Sequence, residues 1–371
     1  MKHSLFSRAL LLLASSLLAL PVFAAIEPEL TLNGYFAGSL RYLETDFEKT
    51  TEDRFEGTNN ASRVTAKASV KTGFATAYAV YERGLRNDKA GIEQVRQVYL
   101  GVDTDYGRLL AGKKASEYRL TGERIDPFYD TSVVGFNGRA YAEGGSYGLS
   151  NLTNGFSRNM VSYTTPLLFD TLSFNGAAFI NDKDSPNDQV DYSGGGLFTT
   201  KGFGEGSQVT VGGQYLEIKN PGSFAAGNTA RNELLGVGGS PGLSTSYRVH
   251  AAYAATKFSV GVSFESVDVK AENKARRYGY GSVTYALTET LRAAASYGRI
   301  EVGSNGPAIG GDGYSLGLFR KFSDSVNGYI AGRNVDLDRL GNTSSIALGL
   351  SVSLGGKLYP WGSGSTSTTS E

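Results

Sequence analysis

The stretch KFSVGVSFE, residues 257–265, decides the fold class because its apolar and polar residues alternate strictly. Successive side chains of a β-strand point to opposite faces of the sheet, so every second residue lies on the same face. The apolar row consists of Phe258, Val260, Val262 and Phe264. Lysine, serine, glycine and glutamate form the other row. The pattern predicts a strand with one apolar face and one hydrated face.

The same alternation recurs along the chain. Residues 63–71 and 247–254 repeat it, and residues 345–354 repeat it near the carboxyl end. The apolar row of that last stretch is Ile346, Leu348, Leu350, Val352 and Leu354. A β-sandwich in water would show the same split. Alternation alone therefore predicts an all-β fold without deciding what the apolar face contacts.

Composition limits the possible functions. The 371 residues include 49 glycines, about 13% against roughly 7% in ordinary proteins, which disfavours long helices. The chain has no cysteine, which excludes disulfides, thiolate nucleophiles and zinc sites built on sulfur. Basic and acidic residues are equal at 36 each, so the net charge gives no reason to expect nucleic acid as a partner.

Residues 1–24 predict a signal peptide. A start with two positive charges precedes the apolar run 9–20, and Val22-Phe23-Ala24 resembles a cleavage site. A membrane anchor would need about 20 apolar residues, whereas this run ends at Pro21. We expect export and cleavage, which leave residues 25–371 as one continuous domain outside the cytoplasm.

The connections between the predicted strands alternate between long polar links and short turns. The long links lie near residues 45–57, 84–93, 116–155, 181–189, 220–243, 270–275, 303–312 and 338–343. The short turns lie near residues 72–73, 103–106, 166–170, 202–206, 255–256, 288–289 and 323–324. This asymmetry is typical of an outer-membrane barrel, with short periplasmic turns and long external loops. It predicts a closed antiparallel transmembrane β-barrel of about 16 strands.

The alternation also predicts which face contacts lipid. The apolar rows must face the hydrocarbon, so the small and polar rows face the lumen. A barrel of about 16 strands is too wide for side chains to fill and encloses an aqueous channel. Aromatic residues near strand ends suit the interfacial girdles or cross-strand packing; they are Tyr35, Phe36, Tyr42, Tyr81, Tyr285, Tyr297 and Tyr329.

Several stretches resemble, in order and spacing, the general bacterial porins of Gram-negative outer membranes. They are ELTLNGYFAGSLRY (29–42), Ser62-Arg63, RQVYLG (96–101), YGRLLAGK (106–113) and RNMVSYTTP (158–166). The resemblance covers essentially the whole mature chain. It implies a 16-stranded homotrimer in the cell outer membrane, surrounded by lipid and lipopolysaccharide. It further implies passive diffusion of small hydrophilic solutes and ions, with no cofactor.

The resemblance also implies that the third external loop folds into the lumen. This loop is the link 116–155, the longest in the chain, and so long a loop is usually functional. Inward positions on the early strands carry Arg63, Lys67, Arg96, Lys113 and Arg158. The family's arginine ladder, which faces the loop acids across the constriction, matches Arg63, Arg96 and Arg158. Opposed charges across a narrow aqueous gap orient dipolar solutes and bias ions.

Some details of this constriction stay open. The Pro-Glu-Phe-Gly run of enterobacterial members is absent, so the facing acids are to be chosen among Glu123, Asp126 and Asp130. The arginines could instead fasten the loop to the wall. Val98 and Leu100 share the parity of Arg96, and they could lie under the folded loop.

Other functions remain as alternatives. They are a substrate-specific channel for organic anions or sugars, a barrel hydrolase and an adhesin. A hydrolase would depend on His250, the one histidine left after export, yet no G-x-S-x-G motif accompanies it. We therefore predict no catalytic residue and no metal ligand. The polar tail 360–371 departs from the family's aromatic carboxyl terminus, for which Tyr359 could substitute.

Overall fold

A computed structural model describes most of the chain outside its two ends. The described residues are 27–47, 50–85, 95–134, 148–149, 157–180, 191–203, 206–218, 244–269, 274–302, 310–338 and 340–360. The predicted signal peptide, 1–24, and residues 361–371 of the predicted tail lie outside these ranges. No helix within the described ranges is long and apolar enough to span a membrane.

The described residues form a 17-stranded antiparallel sheet. Its first strands are β1 (Glu27–Phe47), β2 (Thr50–Asn59), β3 (Arg63–Lys71), β4 (Ala75–Gly84), β5 (Val95–Thr104), β6 (Gly107–Lys114), β7 (Ser157–Thr164), β8 (Leu172–Phe179) and β9 (Asp191–Lys201). The others are β10 (Gln208–Ile218), β11 (Ser244–Ala254), β12 (Phe258–Val269), β13 (Arg276–Ala286), β14 (Leu291–Glu301), β15 (Gly311–Lys321), β16 (Val326–Leu337) and β17 (Gly341–Pro360). Helix α1 (Glu117–Glu123) and a 3-10 turn (Ser132–Val134) lie between β6 and β7.

The first strand closes the sheet. On one side β1 pairs with β17, from Glu29 opposite Pro360 to Phe47 opposite Gly341. On the other side its first part pairs with β3 and its second part with β2. β2 and β3 therefore occupy one position in the barrel, which has sixteen strands and one extra segment. The predicted closed antiparallel barrel of about 16 strands is confirmed.

The second strand is interrupted at Asn60–Ser62. Ala61 has a positive φ of 61°, and the Asn60 N–H donates to the Ala37 carbonyl oxygen at 2.9 Å. The Ser62 hydroxyl accepts from the Ala37 N–H at 2.9 Å. The prediction of a long link near residues 45–57, before this break, is wrong, because β1 and β2 continue there as a hairpin. Its sequence looks like a loop because most residues of β2 are hydrophilic.

The apolar rows point outwards. Leu348 is 63% exposed, whereas its neighbour Ala347 is 2% exposed and faces the interior. In the same way, Val249 is exposed and its neighbour Arg248 is buried. The predicted orientation is confirmed for these rows. Two predicted girdle residues are corrected: Tyr35 and Tyr329 share the parity of inward-facing Ala37 and Ala331, and both contact other lumen groups described below.

The connections follow the predicted asymmetry. Short turns join β3 to β4, β5 to β6, β7 to β8 and every later odd-numbered strand to the next even-numbered one up to β16. The opposite rim carries the longest links, including the one that contains α1, but short links join β1 to β2 and β16 to β17 there. That link positions the candidate site.

Candidate functional site: a loop folded into the barrel

The third loop enters the lumen through helix α1. Ser116 caps the helix, and its hydroxyl accepts a hydrogen bond from the Arg119 N–H at 3.3 Å. Glu117 in the first turn favours the helix through the dipole. Tyr118 is completely buried although it belongs to a loop between two barrel strands. The loop is therefore packed against the inner wall.

A buried ion pair holds α1 on the far wall. Arg248 on β11 pairs with Glu265 on β12 at 2.8 Å, and both side chains are at most 2% exposed. Arg248 also donates to the Tyr118 carbonyl oxygen at 2.8 Å, while the Tyr118 hydroxyl donates to Glu265. Because removing one partner of a buried pair is strongly destabilising, these contacts fix the helix firmly.

The next part of the loop follows the wall towards β16. The Tyr280 hydroxyl donates to Asp126 at 2.8 Å, and Phe128 packs against Phe319 with ring centroids 5.7 Å apart. On β12, a side chain at Gly261 would approach Ile125 to 2.7 Å. Glycine at this position therefore permits the close contact between strand and loop.

The 3-10 turn fastens the loop near the closure of the barrel. Tyr329 on β16 accepts a hydrogen bond from the Ser132 N–H at 3.0 Å and another from Asn60 at 2.9 Å. Arg41 on β1 donates to the Ser132 carbonyl oxygen at 2.8 Å. The described part of the loop thus follows the inner wall from α1 to β1.

One predicted wall residue meets one predicted loop acid. Arg63 pairs with Asp130 at 3.0 Å and lies 4.3 Å over the ring of Tyr35. Burial raises the pKa of the Asp130 carboxyl, and the Arg63 guanidinium offsets part of this rise. The pair connects the loop to β3 and brings opposite charges together beside the lumen.

The other two predicted acids have different partners. Glu123 pairs with Arg119 one turn earlier in α1. Asp126 is 6% exposed and accepts hydrogen bonds from Tyr280 and from the Phe128 N–H. In the described contacts, Asp130 is the loop acid that reaches the predicted basic wall.

A β-bulge turns Arg96 into the lumen. The pairing of β4 with β5 shifts between Glu82 and Arg83, so Arg96 lies outside the regular register. Its Nε donates to Glu82 at 2.9 Å. Val98 and Leu100 return to the lipid-facing row and are 47% and 65% exposed. The alternative that they lie under the loop is wrong, because the bulge breaks the parity they shared with Arg96.

The wall residues on β3 and β6 differ in orientation. Lys67 faces inwards, 4.7 Å from the ring of Tyr78. Lys113 pairs across the sheet with outward-facing Val98, and its ammonium donates to the Val95 carbonyl oxygen. The position that faces the lumen is the next one, Lys114, 5.6 Å from the ring of Tyr99.

The regular alternation along β6 explains these orientations. Lys114 shares the parity of buried Leu110, and Lys113 shares that of exposed Leu109. Gly112 has a φ of +136°, and a side chain there would collide with the Val98 carbonyl oxygen. The pairing of β6 with β7 shifts between Gly112 and Lys114. Arg158 belongs to β7, but its side chain is outside the part of the chain that the structure describes.

Sequence reasoning missed several lumen groups. Arg108 at the start of β6 forms two hydrogen bonds to Asp103, at 2.7 and 3.0 Å. Lys114 and Glu82 were also missed. The alternation along β6 was a usable signal for both Arg108 and Lys114, which share the parity of buried Leu110.

Comparisons with known proteins identify the family. A family model described as Gram-negative porin matches residues 9–340. No curated protein sequence matches significantly.

Solved structures share the fold at low sequence identity. An anion-selective porin from Comamonas acidovorans has a TM-score of 0.66 at 11% identity, with 88% of this chain and 100% of that chain covered. OmpF of Salmonella typhi, in complex with daunomycin, has a TM-score of 0.65 at 15% identity, covering 88% and 97%. OmpT of Vibrio cholerae, in trimer form, has a TM-score of 0.59 at 16% identity, covering 88% and 99%. The match over most of its length shows that the chain belongs to the family of Gram-negative porins, which places it in the outer membrane.

Proposed function

We propose that this porin is a general diffusion channel whose constriction lies between the inward-folded loop and the wall of β3 to β7. The observation that carries this proposal is the course of the loop. Its described part is fastened to β11–β13, β16 and β1, while Lys67 and Lys114 on the early strands face the lumen. Small hydrophilic solutes and ions would pass along this side.

Charge at the constriction supports a role in ion selectivity. We propose that Arg63, Lys67, Arg96 and Lys114 form the described basic wall, with Lys114 in the place predicted for Lys113. We propose Arg158 as a further member of this wall, on the resemblance of its sequence to the porin family. Asp130 is the loop acid next to this wall, where it pairs with Arg63 at 3.0 Å. Fixed charges in a narrow aqueous gap bias which ions enter.

The proposed function is tested by planar-bilayer recording of the purified protein in asymmetric salt. We expect a steady ohmic conductance and a reversal potential set by the wall charges. A protein that inserts and gives no conductance would contradict the proposal, and a surface adhesin would then be the better interpretation.

We further propose that the protein has no enzymatic activity. His250 faces inwards and is 4% exposed, and within the described residues neither ring nitrogen has a hydrogen-bond partner. A catalytic histidine needs a nucleophile or carboxylate within hydrogen-bond reach. We expect His250→Ala to leave the conductance unchanged, and loss of a hydrolytic activity in this variant would favour the barrel hydrolase.

We propose a homotrimer as the assembled state. One solved structure with the same fold is of a trimer. On the lipid-facing side of β1 and β3 to β6, a shallow apolar depression of about 330 Å³ is lined by small residues such as Ala66, Ala68, Ala79 and Ala111. Small residues allow close approach of a second apolar surface. Detergent-extracted protein should migrate as an oligomer that heat dissociates, and a monomer before heating would contradict this.

A further inference from the structure

A second feature of the lumen is a cavity beneath helix α1. It encloses about 190 Å³ between the helix and the inner wall formed by β6 to β10. Its polar lining includes Arg108, Lys114, Glu117, Arg124, Asn175 and Gln214. The apolar side chains of Leu110, Met160 and Leu197 line another part of it. The cavity therefore combines charge, hydrogen-bonding groups and an apolar patch in one small space.

The described side chains around this cavity carry more positive than negative charge. Arg108 pairs with Asp103 at 2.7 Å, and Arg124 pairs with Glu117 at 2.9 Å. Among the described residues, no carboxylate lies within 4.0 Å of the Lys114 ammonium, whose neighbour is the face of Tyr99 at 5.6 Å. The lining thus carries one positive charge that is available to an anion.

A second group in the same cavity lacks a partner. Gln214 on β10 is 6% exposed, and its Oε1 accepts no hydrogen bond from the described part of the chain. A buried acceptor without a donor is costly and uncommon in folded proteins. Facing it on β9 is Gly195, where any side chain would collide with the Gln214 amide. The wall is therefore shaped to hold this amide in the cavity.

A ligand that satisfies both groups must carry an anion and a hydrogen-bond donor. Lys114 is a donor that favours an anion, and Gln214 Oε1 is an acceptor that requires a donor. Leu110, Met160 and Leu197 suit a short aliphatic part. We propose that the cavity binds a small carboxylate that carries a hydroxyl or amine next to its acid group. The carboxylate would accept from Lys114, and the hydroxyl or amine would donate to Gln214.

This inference rests on the proposed function, because solutes reach the cavity through the lumen. It adds a saturable site for one class of organic anion to a channel that otherwise discriminates by size and charge. Such a site would slow the bound anion and reduce the current carried by other ions while it is occupied.

The test compares three solutes of similar size. Lactate has both the charge and the hydroxyl, propionate lacks the hydroxyl, and lactamide lacks the charge. Each is added to the wild-type protein in planar bilayers during recording in potassium chloride. We expect lactate to reduce the chloride current in a saturable manner, propionate to act at several-fold higher concentration, and lactamide to have no effect.

Three variants assign the effect to the cavity. Lys114→Met should raise the half-blocking lactate concentration at least about tenfold, since a hydrogen bond to a charged group contributes that much or more. Gln214→Leu should remove the difference between lactate and propionate. Lys257→Met removes the same charge from the exposed turn between β11 and β12. Lactate should block this control variant at the same concentration as the wild type.

The outcomes separate the two proposals. A conducting wild type with equal, unsaturable responses to lactate and propionate would overturn the site and leave the channel intact, as would an unchanged Lys114→Met. A wild type without conductance would refute the channel; calorimetric titration of lactate into the detergent-solubilised protein would then test the site directly. Binding that Lys114→Met abolishes would support the site, and no binding would refute it.

Discussion

The buried pair between Arg248 and Glu265 predicts how firmly the loop is held. Glu265→Ala removes the carboxylate that faces the Arg248 guanidinium at 2.8 Å and that accepts from Tyr118. Removing one partner of a buried ion pair costs about 3–5 kcal/mol. Since each 1.4 kcal/mol is tenfold, a loss of about 3 kcal/mol lowers the ratio of docked to released loop on the order of 100-fold.

Single-channel recording measures this release. We expect Glu265→Ala to give a larger and noisier conductance than the wild type, because the released helix no longer narrows the lumen steadily. Tyr118→Phe keeps the ring and removes only the hydroxyl, at a cost of about 1–3 kcal/mol, so its conductance should lie between the two.

A matched control is provided by Glu301 on β14. Its pair with Arg299 at 3.3 Å is exposed to 55% and 61%, so Glu301→Ala should cost about 0–1 kcal/mol and leave the conductance unchanged. If folded Glu265→Ala, checked by its heat-modifiable migration, conducts like the wild type, the buried pair does not hold the loop and the reasoning fails.

Three further predictions concern the wall, the loop acid and the bulge. Arg63→Ala should shift the reversal potential towards cations, and an unchanged potential would show that this guanidinium does not face the permeant path. Because burial raises the pKa of Asp130, its carboxylate should gain a proton at higher pH than an exposed aspartate, whose pKa is about 3.9. Lowering the pH should therefore shift ion selectivity towards anions before exposed carboxylates gain their protons. The shift should disappear in Asp130→Asn. A shift that persists in this variant would belong to another titratable group. Gly112→Ala forces a side chain onto a φ of +136° and should lower the thermal midpoint of the barrel by the equivalent of about 1–3 kcal/mol. Gly57→Ala is the control, because no atom lies within 4 Å of the added carbon, and it should change the midpoint little. Equal midpoints for the two variants would show that the backbone at Gly112 is not strained.

The barrel could be predicted because lipid and water impose their pattern on every strand. Rows such as Phe258 to Phe264 need only the period of two to be assigned to a face. The same rule applied consistently would have placed Tyr35 and Tyr329 in the lumen. Their residue type suits either the girdles or cross-strand packing, whereas their parity matches that of buried Ala37 and Ala331.

The constriction could be predicted only in part, because bulges change parity without a clear sequence signal. Arg96 turns inwards at a bulge that leaves Val98 and Leu100 outside. The loop contacts are equally inaccessible to local patterns. Tyr118 and Glu265 are 147 residues apart in sequence, so their contact follows from the closed barrel.

The most direct test of the central claim is the conductance of purified, folded protein in a planar bilayer as the potassium chloride concentration is raised. A water-filled lumen predicts discrete current steps on insertion, with a conductance that grows in proportion to the salt concentration. A bilayer that stays electrically tight after the folded protein has inserted would contradict the claim that this barrel encloses an open aqueous path.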